Sequence, residues 1–245
     1  MSERLKPNTN VTGHFLDSSR LAEIAKWREV ITGVTTNPVI LLKDGVTDVP
    51  GHIGKICQIV GGGFPVSVEV PYSQMSEDEM VELGKAYAQM FPGNAVVKVP
   101  VVPGEKGLNV IKRLRGVDIA VNATLGITFA QLALAADAGA NFISLFWGRA
   151  LESREKFQEG PGPEVILEST LAYLVTRGHK DVRIIVGSVR LAEQARQAFA
   201  LGAHVVTVSP EVLQQSMQAK RLDETIEQFD KAYQEASADP DFRLI

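Results

Sequence analysis

The sequence predicts an α/β protein folded as one (β/α)8 barrel of the TIM type, spanning residues 1–245 with C-terminal helices from about residue 210. Short runs rich in β-branched residues alternate with longer amphipathic runs, a pattern typical of parallel strands joined by crossover helices. Eight such units in 245 residues favour a closed barrel over an open sheet. Glycine recurs where a helix meets the next strand, as in ITGVTT and FALGAHVV, because helix ends often need a positive φ.

The eight predicted strands are short and rich in valine, isoleucine, threonine and phenylalanine. In chain order they are HFLDS (14–18), GVTT (33–36), PVSVEV (65–70), AVVKVPV (95–101), IAVNAT (119–124), FISLFW (142–147), RIIVGS (183–188) and HVVTVS (204–209). Each is followed by a run with apolar residues three or four apart, which indicates a helix with one buried face. These predicted helices cover residues 19–31, 48–60, 76–91, 104–116, 128–139, 162–178, 189–202, 210–220 and 221–236.

The composition excludes several classes of protein. The formal net charge is −4, so there is no basic surplus that would favour nucleic acid. The single cysteine, Cys57, cannot form an intrachain disulfide and fits a reducing compartment. The first residues lack the apolar stretch of a signal peptide, and no apolar run approaches the roughly 18 residues that a membrane helix needs. We therefore expect a cytoplasmic protein that binds neither nucleic acid nor membrane.

One residue stands out in the fourth strand, where Lys98 lies within AVVKVPV. Lysine is rarely buried, because taking an ammonium group out of water is costly. Lys98 therefore either points outward from an edge strand or is an amine held in the interior as a nucleophile. Burial in an apolar strand would lower the pKa of this amine and favour its nucleophilic form.

Polar residues also occur on six other predicted strands or just beyond their ends. Each has an ordinary explanation: a helix cap, a turn or a position on the outer face of the sheet. Together they indicate a polar barrel interior, which would be unstable unless it served a function. Because barrel chemistry gathers at the carboxyl ends of the strands, we expect these residues to meet there: Asp17, Asn37, Glu69, Asn122, Thr124, Ser144, Ser188 and Arg190.

This inventory points to Schiff-base chemistry on a carbonyl substrate. The four histidines are isolated and no metal-binding, dinucleotide-binding, Walker or G-x-S-x-G motif occurs, so we expect no cofactor and no metal. Glu69 and Thr124 could hold a water that moves protons during imine formation, and Asp17 could take a proton from a substrate hydroxyl. An anion site for a sugar phosphate could come from Arg149, Ser188 and Arg190.

Several segments, among them FLDSS, GVTTNPVILLKDG, VSVEV, VVKVPV and VGSVR, resemble the transaldolase family from about residue 14 to 235. The resemblance implies a circularly permuted barrel with the Schiff-base lysine, here Lys98, on the fourth strand. It also implies that Asp17 is the acid/base for the substrate hydroxyl and that Glu69 and Thr124 hold the catalytic water. The residues implied in substrate binding are Asn37, Asn122, Ser144 and Phe146 at the dihydroxyacetone unit and Arg149, Ser188 and Arg190 at the phosphate.

The resemblance leaves the exact reaction open. Related fructose-6-phosphate aldolases typically carry glutamine and tyrosine where Glu69 and Phe146 stand, which favours group transfer over release of free dihydroxyacetone. Trp147 departs from the family pattern, and it either reshapes the distal substrate pocket or packs outward. The substrate is expected to be a sugar phosphate or a sulfosugar. A non-catalytic barrel that binds sugar phosphates is a further alternative, and short relatives form rings, so a homo-oligomer is expected.

Overall fold

The computed structural model describes residues 5–239 and 241–243, so residues 1–4, 240 and 244–245 of the predicted 1–245 domain lie outside the described residues. Eight parallel strands close into a barrel in the order β1 to β8, and the predicted (β/α)8 fold is confirmed. Each strand starts and ends within two residues of its prediction. The strands are β1 Gly13–Asp17, β2 Gly33–Thr35, β3 Val66–Glu69, β4 Ala95–Pro100, β5 Val121–Gly126, β6 Phe142–Phe146, β7 Arg183–Gly187 and β8 Val205–Val208.

Helices follow the strands of the barrel, and two of these helices were not predicted from the sequence. These are α2 (Pro38–Lys43), which begins directly after β2, and α7 (Trp147–Phe157), which begins directly after β6. None of the helices in the described ranges combines the length and hydropathy that a membrane-spanning segment requires. The remaining helices are α1 Leu21–Trp27, α3 Val49–Val60, α4 Glu77–Met90, α5 Lys106–Arg115, α6 Phe129–Asp137, α8 Pro163–Arg177, α9 Ala192–Ala200, α10 Pro210–Gln215 and α11 Lys220–Ser237.

Trp147 begins α7, whereas the sequence predicted it as the last residue of a strand. Its side chain is 1% exposed and belongs to the large core between the sheet and the surrounding helices. This burial supports the interpretation of Trp147 as a packing residue.

A second, smaller core fills the amino-terminal half of the barrel interior. In it, the rings of Phe15 and Phe142 meet edge to face with centroids 5.9 Å apart. Phe15 pairs in register with Gly33, whose missing side chain makes room for the ring. This layer, called the lower level below, fills the barrel near the amino-terminal ends of the strands. Polar side chains can therefore gather only in the upper level, toward the carboxyl ends of the strands. Its buried members are Phe15, Val96, Phe142, Ile185 and Val205.

We predict that Gly33→Ala destabilises the barrel by about 1–3 kcal/mol, the usual cost of overpacking a core. A Cβ at Gly33 would lie 2.3 Å from Cζ of Phe15, which is fully buried and cannot turn away. Urea unfolding followed by circular dichroism measures the loss. Gly54→Ala is the control, because its Cβ would meet only Phe91 at 3.6 Å and alanine favours helix. Equal unfolding midpoints for the two variants would contradict this account of the lower layer.

Candidate active site

Lys98 lies two residues after Val96 of the inner core on the same strand, so its side chain points into the barrel. The alternative of an outward position on an edge strand is wrong, because the closed barrel has no edge strand. The residue is 4% exposed. Its Nζ donates a hydrogen bond to the carbonyl oxygen of Thr36 at 2.9 Å and lies 3.2 Å from Oε2 of Glu69. The amine is therefore a buried group whose immediate neighbours are oxygen atoms, although its strand is apolar.

The register of the sheet brings residues of three strands to the same level. Lys98 of β4 pairs with Glu69 of β3 on one side and with Asn122 of β5 on the other. One step further along, Pro100 pairs with Thr124. The hydroxyl of Thr124 is buried and has no hydrogen-bond partner among the described residues. A buried hydroxyl in this position is available to a water or a substrate atom.

Asn122 is fixed by neighbours on both sides. Its Nδ2 donates to Oγ of Ser67 at 3.2 Å, and Oγ of Ser144 donates to its Oδ1 at 2.7 Å. All three side chains are buried. This chain of hydrogen bonds sets which end of the Asn122 amide faces which strand. The contact of Ser67 with Asn122 joins two strands that are far apart in sequence, and sequence reasoning did not predict it.

Asp17, at the end of β1, lies opposite two threonines that sequence reasoning missed. Oγ1 of Thr35 donates to Oδ1 of Asp17 at 2.7 Å and is 2.6 Å from Oγ1 of Thr207. A hydroxyl has a single proton, so Thr207 must donate to Thr35 when Thr35 donates to Asp17. Burial raises the pKa of the Asp17 carboxyl, while the Lys98 charge and the Thr35 hydrogen bond oppose that rise.

Two predicted substrate-binding residues lie at strand ends, near the mouth of the barrel. Asn37 follows β2 and caps α2, with its Oδ1 accepting a hydrogen bond from the Ile40 N–H at 3.0 Å. Asn37 therefore caps a helix, whereas its ordinary explanation from the sequence was a turn, and its amide NH2 is still a donor that could serve a ligand. Phe146 ends β6 and is partly buried.

The three residues predicted to bind an anion follow the neighbouring strands β6 and β7. Ser188 has a left-handed φ of 55°, and its carbonyl oxygen accepts the Gly148 N–H at 3.1 Å. A Cβ at Gly148 would lie 2.6 Å from that oxygen, so glycine is required where the two segments touch. Arg149 and Arg190 both bind one carboxylate, Glu152, through hydrogen bonds or ion-pair contacts of 3.0 and 2.6 Å.

Glu152 is another site residue that sequence reasoning missed. The hydrogen bond with Arg190 is the main cause that lowers the pKa of its carboxyl; burial opposes it, and the hydrogen bond with Arg149 adds to the lowering. Its position three residues after Arg149 becomes a signal only once α7 is known, because residues three apart lie on one face of a helix. In the described ranges, no group of three or more His, Cys, Asp or Glu side chains is arranged to hold a metal ion.

Comparison with known proteins identifies the family. The family model described as Transaldolase/Fructose-6-phosphate aldolase matches residues 14–242. A "Probable transaldolase" of Exiguobacterium sp. is 36% identical over 217 residues, which are 88% of this chain and 94% of the relative. A "Probable transaldolase 1" of Bacillus cereus is 35% identical with the same coverage. A "Probable transaldolase" of Clostridium perfringens is 34% identical over 224 residues, 91% of this chain and 97% of the relative. The chain therefore belongs to the transaldolase/fructose-6-phosphate aldolase family of enzymes.

Proposed function

We propose that this protein is a transaldolase that moves a dihydroxyacetone unit from a ketose phosphate to an aldose phosphate through an imine at Lys98. The observation that carries this proposal is the position of the Lys98 amine, which is buried in the barrel and 3.2 Å from the Glu69 carboxylate. A buried amine beside a proton acceptor is what nucleophilic attack on a ketone requires.

The first half of the reaction forms the imine and breaks a carbon–carbon bond. Lys98 gives a proton to Glu69 and attacks the ketone carbon, and the resulting carbinolamine loses its hydroxyl as water. Glu69, with a water held by Thr124, supplies and removes the protons. Asp17 then takes the proton of the C4 hydroxyl, the C3–C4 bond breaks, and the aldose phosphate leaves. The electron pair of that bond forms an enamine on Lys98.

The second half reverses these steps with a different aldehyde. The enamine carbon attacks the carbonyl carbon of the acceptor aldose, and Asp17 returns its proton to the new hydroxyl group. Water then adds to the iminium, and the new ketose departs from a restored Lys98. Glu69 and Phe146 support transfer over simple aldol cleavage, since both are of the transaldolase type and the enamine must survive until the acceptor binds.

The remaining polar residues are assigned to substrate binding in this proposal. Asn122, oriented by Ser67 and Ser144, and Asn37 hold the dihydroxyacetone hydroxyls. Arg149 and Arg190 hold the phosphate with Ser188 at the outer end of the site, because charge-assisted hydrogen bonds from arginine suit phosphate oxygens.

We also propose that the protein is a cytoplasmic homo-oligomer in which α11 packs on a second copy. No residue of α11 is buried. Four of its apolar side chains are exposed and recur three or four residues apart, so they form one apolar face. A helix with such a face needs a partner surface. The single cysteine of the chain fits a cytoplasmic location. The four side chains are Leu222, Ile226, Phe229 and Tyr233.

Trapping the imine tests the central step. Incubation with fructose 6-phosphate and borohydride should attach a three-carbon unit to Lys98 and to no other lysine, as read by peptide mass spectrometry. Lys98→Met should abolish both labelling and transfer, because no amine remains to form the imine. Lys85→Met is the control, since Lys85 is a surface residue paired with Glu82. Labelling of a different lysine with an active donor would refute the proposal, as would transfer activity in Lys98→Met.

The pH dependence of kcat/KM tests the role of Asp17. Only the ionised carboxylate can accept a proton, so activity should rise as pH passes upward through the pKa of Asp17. The Thr35 hydrogen bond lowers that pKa. Thr35→Val removes it, so the pKa should rise and the acidic limb of the profile should move to higher pH.

The control for this profile is Thr207→Val, assayed with the same donor. Thr207 contacts Thr35 but not Asp17, so its replacement leaves the hydrogen bond from Thr35 to Asp17 in place. The acidic limb of the kcat/KM profile should therefore move less in Thr207→Val than in Thr35→Val. If Thr35→Val and the wild-type protein share one acidic limb, Asp17 is not the group that controls it.

Molecular mass in solution tests the oligomer. Phe229→Glu places a charge in the middle of the apolar face of α11 and should yield smaller species in light scattering, with an unchanged circular dichroism spectrum. Gln228→Glu adds the same charge at the adjacent position and should leave the mass unchanged. A monomeric wild-type protein, or equal masses for both variants, would show that α11 does not mediate assembly.

A further inference from the structure

Glu152 joins two arginines that come from different βα units. Its Oε2 accepts a hydrogen bond from Nη1 of Arg149 at 3.0 Å, and its Oε1 is 2.6 Å from Nη1 of Arg190. The Glu152 side chain is only 22% exposed, whereas those of Arg149 and Arg190 are 59% and 52% exposed. One carboxylate therefore uses both of its oxygens to hold two more exposed cations.

The two guanidinium groups would separate without such a bridge. They carry like charges, and both side chains are long and lose conformational freedom when held in one place. The Gly148 N–H bond to Ser188 already fixes the two backbones against each other. The backbone N–H of Arg190 is fixed as well, because it donates a 2.8 Å hydrogen bond to Oε1 of Gln194. Among the residues that the structure describes, Glu152 is thus the one that extends this attachment from the backbones to both arginine side chains.

Each arginine also keeps donors for a ligand. A guanidinium carries N–H groups on three nitrogens, and the contact with Glu152 uses one nitrogen of each side chain. The contact with Glu152 also sets the net charge of the site. Two guanidinium groups and one carboxylate leave a net charge of one positive unit at this place on the rim.

We propose that Glu152 is the positioning residue of the anion site and that it sets the charge for which the site is suited. This inference rests on the proposed function, which assigns Arg149 and Arg190 to the anionic tail of the sugar. A phosphate ester carries about 1.5 to 2 negative charges at pH 7, whereas a sulfonate carries one. With Glu152 ionised, the site discriminates less between these two tails than two unpaired arginines would.

Two variants of Glu152 separate position from charge. Glu152→Asp keeps the charge but is one methylene shorter, so it should not reach both arginines and should raise KM for every anionic donor. Glu152→Gln keeps the length and removes the charge, so the site gains one positive unit. Glu155→Gln is the matched control, because it removes one negative charge from the same helix at a position that forms no ion pair with the described residues.

The assay compares fructose 6-phosphate with its 6-deoxy-6-sulfo analogue at pH 7.5, with one acceptor and the full-length protein. Glu152→Gln should raise the ratio of the sulfonate KM to the phosphate KM roughly threefold to tenfold, because the added charge favours the dianion. Glu152→Asp should raise both KM values and leave their ratio unchanged. In both variants kcat should change less than KM, since the tail lies away from the reacting carbons.

Separate readouts distinguish failure of this inference from failure of the proposed function. Borohydride trapping of dihydroxyacetone on Lys98 needs no anion site, so it tests the imine alone. Calorimetric binding of ethyl phosphate and ethanesulfonate tests the anion site alone and requires no turnover. The inference fails if Glu152→Gln and Glu152→Asp both give the same two KM values as the Glu155→Gln control. Where no donor reacts, the two binding constants are compared in the same way. In either case Glu152 is only an ion-pair partner of the two arginines.

Discussion

The rest of this structure depends on one constraint: a lysine amine is held inside a closed barrel. An isolated cation in a protein interior is unstable, so its charge must be met by nearby oxygens. The Glu69 carboxylate and the Thr36 carbonyl oxygen provide them. Both come from strands or strand ends on the same side of β4, and only the parallel register of β3 against β4 puts Glu69 beside Lys98. The pairing of the strands is thus what makes the burial of the amine possible.

The barrel interior is accordingly divided into two levels with different physical roles. The lower level is apolar and tightly packed, with the Phe15 ring resting where Gly33 has no side chain. Dispersion contacts and exclusion of water there stabilise the barrel. The upper level contains hydrogen-bonded pairs such as Thr35 with Asp17 and Ser144 with Asn122. These pairs are tolerated because each member is satisfied by the other, and because the lower level already holds the strands together; the Thr124 hydroxyl, which has no partner among the described residues, is the exception.

The sequence predicted what depends on residue type and local pattern, and it missed what depends on how separate segments meet. The strands and Lys98 were found because β-branched runs are a local signal and a lysine within one is conspicuous. Helix α2 was missed because it begins at Asn37-Pro38, a pair that is also typical of a turn, and α7 because its start continues the apolar run of β6 without a loop. Contacts that join distant segments, such as those of Thr207 with Thr35 and of Glu152 with Arg190, have no signature in sequence spacing.

The arginine pair differs from the lysine site in how easily it can change. Lys98 and Glu69 are enclosed by strands, so a substitution there disturbs packing and the balance of buried charge together. Arg149 and Arg190 are exposed at the rim and are tied to the barrel through Gly148, Ser188 and Glu152. Exposed charges are screened by solvent, and exchanging one costs little stability. In the proposed reaction, a change in the charge of the sugar tail can therefore be accommodated at the rim while the carbon–carbon chemistry inside the barrel stays as it is.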